Sequence, residues 1–187
     1  MPLRFCSSPC QCEHTSFNML ALANKLEAFI ALTGRAVSWL SLLMVLVTFV
    51  VVVMRYLFDT GSIALQESVA YMHAVLFLVG AAWTLQQNAH VRVDIFYSRW
   101  SPRTRAWVDL FGTLFLLLPV MLFISVISWQ YIVDSWQVHE GSREAGGLPG
   151  VFILKSFILV MTTLLLLQAT ANLLKAVHVI KTQGVQG

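Results

Sequence analysis

The sequence predicts an all-α integral membrane protein of four transmembrane helices, preceded by an interfacial amphipathic helix and with both termini in the cytoplasm. Three observations point there. Of the 187 residues, 58% are hydrophobic and only 11% charged, and the mean hydropathy of +0.75 exceeds what a soluble domain with a polar surface carries. The surplus of apolar residues is gathered into long uncharged runs. Finally, nine of the twelve Lys and Arg residues fall on one side of the four spans that those runs define.

Residues 1–18 (MPLRFCSSPCQCEHTSFN) have no apolar period and make a poor signal peptide, so a disordered cytoplasmic tail is expected there. Met19 opens the first stripe with helical logic and is an alternative start. From Met19 to Thr33, the residues Met19, Leu22, Leu26, Phe29, Ile30 and Thr33 recur on one side of a helix. Asn24, Lys25, Glu27 and Arg35 lie mostly off that stripe. Residues 19–35 therefore read as a helix lying along the membrane surface or against a partner.

The four-helix domain is expected over 36–176. Its first span, about 37–54, is just long enough to cross a hydrocarbon layer of about 30 Å, and Arg55 and Tyr56 end it. Phe58-Asp59-Thr60-Gly61-Ser62 is a turn, after which Gln66 and Glu67 lead into a span at about 68–85. The next loop, His90 to Arg105, mixes four arginines with Phe96, Tyr97 and Trp100, as a cytoplasmic lipid interface does. Ser101 and Pro102 suit the N-cap and first turn of span three, about 107–131, in which Pro119 should kink the helix. A glycine-rich loop follows, then span four at about 151–174 and a cytoplasmic tail at 177–187.

Orientation follows from the basic residues. Arg4, Lys25, Arg35, the loop-two arginines Arg92, Arg99, Arg103 and Arg105, and Lys175 and Lys181 share one side, against Arg55, Arg143 and Lys155 on the other. The richer side is the cytoplasmic one.

Chemistry is sparse. Arg55, Glu67, Asp109 and Asp134 sit near span ends, where a side chain reaches the interface, so anchoring, end-capping or a polar subunit contact is their expected role. His73 is the one histidine inside a span. A bis-histidine haem would need a second ligand at its depth, whereas His90, His139 and His178 lie at span ends or in loops. His73, Phe77, Gly80 and Thr84 share a face of span two, which suggests a packing histidine beside a close helix contact. Gln168 and Asn172, at i and i+4 in span four, could join helices by hydrogen bonds.

The cluster Cys6, Cys10, Cys12 and His14 is compact and lacks a flanking fold to set tetrahedral zinc geometry. No nucleotide-binding glycine loop and no nucleophile elbow occurs. No cofactor, no metal, no enzymatic activity and no nucleic-acid partner are expected.

Arg55-Tyr56-Leu57-Phe58 closes span one, Glu67 opens span two, Gly80 lies within it and His90-Val91-Arg92-Val93-Asp94 follows it. With Ser101-Pro102-Arg103-Thr104-Arg105 and Gly146-Gly147-Leu148-Pro149 before Lys155, this order resembles the small permease subunit (DctQ type) of tripartite ATP-independent periplasmic (TRAP) transporters, over roughly residues 37–175. The tail before Met19 departs from that pattern. The resemblance implies a helper in the bacterial inner membrane. It would extend the static scaffold of a large permease subunit that holds the substrate and sodium sites, while a periplasmic solute-binding protein captures the solute, commonly an organic acid. It also implies structural or subunit-interface roles for Arg55, Glu67, Arg92 and Asp94, beside the packing candidates His73 and Gly80. Two other classes compete: a free-standing small exporter, which would need a coupling acid inside a span, and a membrane anchor of a redox complex, which would need paired ligands or a quinone pocket.

Overall fold

The computed structural model describes residues 9–87 and 100–184, with side chains over 20–87, 100–101 and 104–180. Among them every regular element is helical, with α1 at Pro9–Leu57, α2 at Ile63–Gln86, α3 at Pro102–Gly112, α4 at Leu118–Gln137 and α5 at Val151–Gly184. A single π turn, Thr113–Leu117, joins α3 to α4. Four stretches are long and apolar enough to cross a membrane, namely Leu20–Leu57, Ile63–Gln86, Thr104–Gln137 and Val151–Ile180. Each contains one of the four expected spans.

The first correction concerns α1. The expected interfacial helix and first span are one uninterrupted helix of 49 residues, which also covers residues 9–18 of the expected tail. The reason is local: from Cys10 to Leu57 no residue lacks a backbone donor, and Gly34 costs only about 1 kcal/mol relative to alanine, too little to break a helix built from both sides.

The buried line of this helix also differs from the expected stripe. Ala23, Ile30 and Gly34 face inward, while Leu22 and Phe29 are exposed. Small residues win the inward positions because they let α1 approach its neighbours closely. Ile30 packs in one cluster with Val79 and Ala82 of α2 and Leu164 and Leu165 of α5. A side chain at Gly34 would meet the Trp83 side chain, whose Cβ lies 2.7 Å from where the added carbon would be. Two polar contacts secure the same end of the bundle. Gln86 Nε2 donates to the Glu27 carbonyl at 2.9 Å, and Lys175 Nζ pairs with Glu27 Oε1 at 2.5 Å.

The turn at 58–62 forms as expected. Thr60 N donates to the Met54 carbonyl at 3.1 Å, and Asp59 takes a positive φ of 51°. Ser62 then caps α2, so the helix begins at Ile63 and carries Gln66 and Glu67 within its first two turns. Ser101 likewise caps α3, accepting from Thr104 N at 3.3 Å with Pro102 in the first turn.

At Pro119 the ladder changes register instead of simply losing one bond. The π turn lies directly before it, and Leu118 N donates five residues back to Thr113 O. Such a turn is one of the recognised ways to absorb an interruption of the helical ladder.

In α5, Gln168 Nε2 donates to Asn172 Oδ1 at 2.9 Å, along the same helix and not across to another. The Thr162 hydroxyl donates to its own helix at Leu159 O. The interhelical hydrogen bonds expected of Gln168 and Asn172 are therefore not the ones formed; Gln86 supplies one instead.

Candidate functional site

Among the described residues, the end of the bundle that carries the 138–150 loop gathers a cluster of polar side chains, Glu67, Ser135, Glu140, Ser142 and Lys155. After α4, His139 adopts a positive φ of 46° and Gly146 one of 83°, and these two reversals fold the loop back over α2 and α5. Glycine adopts such a φ without steric penalty, which is the use of Gly146 here. Ser142 N donates to Leu148 O at 3.0 Å and Gly147 N to Glu144 O at 3.0 Å, so the loop closes on itself.

Glu67 reaches this loop from α2. Its Oε1 accepts from the Ser142 hydroxyl and its Oε2 accepts from Leu148 N at 2.7 Å, two contacts spanning 75 and 81 positions of sequence. Gly147 completes the clamp. A Cβ there would lie 2.6 Å from Ser142 Cβ and 2.8 Å from Glu67 Oε1, so only glycine leaves the carboxylate its place.

A second carboxylate holds the other edge. Glu140 accepts from Lys155 Nζ and, at 2.7 Å, from the Ser135 hydroxyl. The Lys155 ammonium also sits 3.8 Å from the centroid of the Tyr131 ring, within cation–π range. Trp136 Nε1 donates to Ser156 Oγ at 2.8 Å, and its ring meets Phe152 edge-on at 4.8 Å. The loop is thus tied to α2 by Glu67 and to α4 and α5 by Glu140.

The Lys155 and Ser135 hydrogen bonds hold the Glu140 carboxyl below its ordinary value of 4.5. A carboxyl with a depressed folded pKa stabilises the fold fully above its unfolded pKa and loses that contribution as pH falls through the folded value. Amide exchange across 138–150 is accordingly expected to accelerate as pH drops below about 4.5, after correction for intrinsic rates. Glu140→Gln should show a smaller acid step. An equal step in the variant would assign the transition elsewhere.

The sequence-predicted candidates separate cleanly. Glu67 is at the clamp, and Arg55 is exposed at the same end of the bundle, on the last turn of α1. His73 faces outward from α2, and a Cβ at Gly80 would meet nothing within 4 Å. Among the described residues no helix of this chain packs closely over that pair: α2 turns Val75, Val79 and Ala82 toward the core, roughly opposite His73 and Gly80. Arg92 and Asp94 lie outside the described residues, as do the side chains of Cys10, Cys12 and His14 and all of Cys6. Sequence reasoning missed Ser142 and Glu140, and it named Gly147 and Lys155 only as parts of a motif, without their roles in the clamp and the Glu140 to Lys155 pair. The Gly146-Gly147 doublet and a lysine just inside an apolar helix were the available signals.

Comparison with known proteins bears on this arrangement. The family model for the DctQ component of tripartite ATP-independent periplasmic transporters matches residues 44–178, well over half of the chain. A Vibrio cholerae protein named C4-dicarboxylate TRAP transporter small permease protein DctQ is 33% identical over 88 residues, which is 47% of this chain and 38% of that protein. The alignment thus spans well under half the length of that relative. No solved structure matches. On the family match, together with four apolar helices long enough to span a membrane, the chain belongs to the DctQ component family of TRAP transporters.

Proposed function

We propose that the chain is the small membrane subunit of a sodium-coupled, binding-protein-dependent importer, and that it stabilises and extends the scaffold of a large permease subunit. In this reading it sits in a bacterial inner membrane with both termini cytoplasmic, and its surroundings are membrane lipid and that large subunit. A periplasmic solute-binding protein delivers the solute to the assembled complex. The solute is an organic acid; the Vibrio cholerae relative is named for C4-dicarboxylates.

One observation carries the helper role. No Asp, Glu, Lys or Arg lies within residues 36–54, 68–91, 110–133 or 156–174. Ion-coupled carriers keep ionisable groups deep in the membrane because such groups are costly there and are retained for transport. Here the carboxylates of Glu27, Glu67 and Glu140 are paired at the two ends of the bundle with partners in the same chain. Apart from His73, which stands alone, the interiors of the spans hold no acidic or basic side chain, and the chain has parts for holding a shape and no paired acidic or basic groups there for moving a charge. An exporter or redox-anchor reading gains no support from this arrangement.

The mechanism follows from the bilayer as solvent. A partner that slides needs a neighbour that stays still. A block whose arginines lie at the interface resists translation, because drawing even one arginine to the bilayer centre costs about 2.5–3.5 kcal/mol or more. The test is uptake of labelled organic acids, C4-dicarboxylates included, by vesicles containing the large subunit, with the binding protein outside and an imposed sodium gradient. Uptake should depend on sodium and on the binding protein and collapse when this chain is omitted. Undiminished uptake without it would contradict the proposal.

A further inference from the structure

The outward face of α2 does not look like a face made for lipid. Ala70, His73, Phe77, Gly80 and Thr84 follow one another at spacings of three and four, which places them on one side of the helix. Ala70 and His73 are exposed, Phe77 is 71% exposed, and the space over Gly80 is open. Elsewhere the outward positions inside the spans are dominated by bulky apolar side chains, such as Leu46 and Phe49 of α1 and Phe115 and Phe123 along the third span. Those suit hydrocarbon; a histidine does not.

His73 stands ten residues from Ile63 and thirteen from Gln86, roughly 15–20 Å from either end of α2 at helical rise. It is too deep for its ring to reach an interface, and it makes no hydrogen bond among the described residues. A neutral imidazole carries one donor and one acceptor, and lipid tails can satisfy neither. The outward serines and threonines behave differently, because they satisfy themselves on their own helix. Thr48 donates to Met44 O, Thr163 to Leu159 O and Thr84 to Gly80 O. His73 has no such local outlet. Beside it, Ala70 and Gly80 leave room for a close backbone approach, the arrangement that membrane helices use to associate.

We propose that this face of α2 docks a transmembrane helix of the large permease subunit, and that the partner helix presents a hydrogen-bonding side chain opposite His73 while its ridge settles into the notch at Gly80. The proposal rests on the scaffold reading above. The face is free for such a contact because the α2 positions that hold the bundle together, Val75, Val79 and Ala82, point the other way.

The test uses His73→Phe and Gly80→Leu in the full chain, co-expressed with the large subunit, with two readouts. The thermal midpoint of the purified chain should stay at the native value, since neither side chain is held within the chain. Recovery of the large subunit at matched expression should fall by about tenfold, the loss expected on removing one interhelical hydrogen bond or a close backbone contact. A photo-crosslinking residue at position 77 of the otherwise native chain should label the large subunit, and one at position 123 should not. Unchanged recovery together with no label from position 77 would overturn the proposal and assign the face to lipid. A label joining two copies of this chain would overturn it in favour of a homo-oligomer. If the native chain itself recovers no large subunit, the scaffold reading falls, and this proposal with it.

Discussion

Replacing Gly34 with leucine is expected to destabilise the purified chain by about 1–3 kcal/mol, the usual cost of forcing extra methylene groups into a packed contact. The position is buried where α1 crosses α2, and the new side chain would have to displace Trp83. Backbone freedom is not the issue, because Gly34 lies inside a regular helix. The defect should therefore be relieved by making space: Gly34→Leu combined with Trp83→Ala should lose less stability than the two single changes summed, as neighbours sharing one contact do. Thermal melting in detergent, followed by size exclusion, gives all four corners of that cycle. An additive result would mean that α1 and α2 do not meet at these two residues.

The second large effect is expected at Glu67. Glu67→Ala removes the acceptor for both the Ser142 hydroxyl and Leu148 N, which frees the loop from α2. Glu67→Gln should be the milder change: its amide oxygen can still accept from Leu148 N and its amide N–H can donate to Ser142 Oγ, so the geometry survives and the charge is lost. Gly147→Val should imitate the alanine variant without touching the carboxylate, because its Cβ would occupy the space that Glu67 and Ser142 share. In the assembled transporter, Glu67→Ala and Gly147→Val should lose most of the complex or its uptake, Glu67→Gln should lose less, and solute preference should be unchanged in all three. Charge reversal at Arg92 is expected to follow the same pattern. A changed preference in any of them would place this subunit in the substrate path.

What could be read from the residues and what could not divide along physical lines. Uncharged runs of about twenty residues announce spans because the bilayer imposes a length, and all four were legible within their helices. Local capping chemistry was legible too: Ser101 with Pro102 placed the start of α3. The continuity of α1 was not, because a surface-helix stripe and an apolar span look like two elements when a helix passes from one environment to the other. The clamp was partly visible as an acid near a span end and a glycine doublet in a loop. Joining them needs contacts 75 and 81 residues apart, which leave no period in the sequence. The shared face of His73 and Gly80 was legible from spacing, but not its direction. Which way a helix turns is decided by its neighbours, and here Val79 and Ala82 took the core.

The most direct test of the central claim is a mild-detergent pull-down of the tagged chain co-expressed with its neighbouring genes, followed by mass spectrometry of what co-purifies. A large membrane protein recovered in stoichiometric amount is the result expected of a scaffold subunit. A stable, partner-free homo-oligomer would contradict it and return the free-standing exporter to consideration.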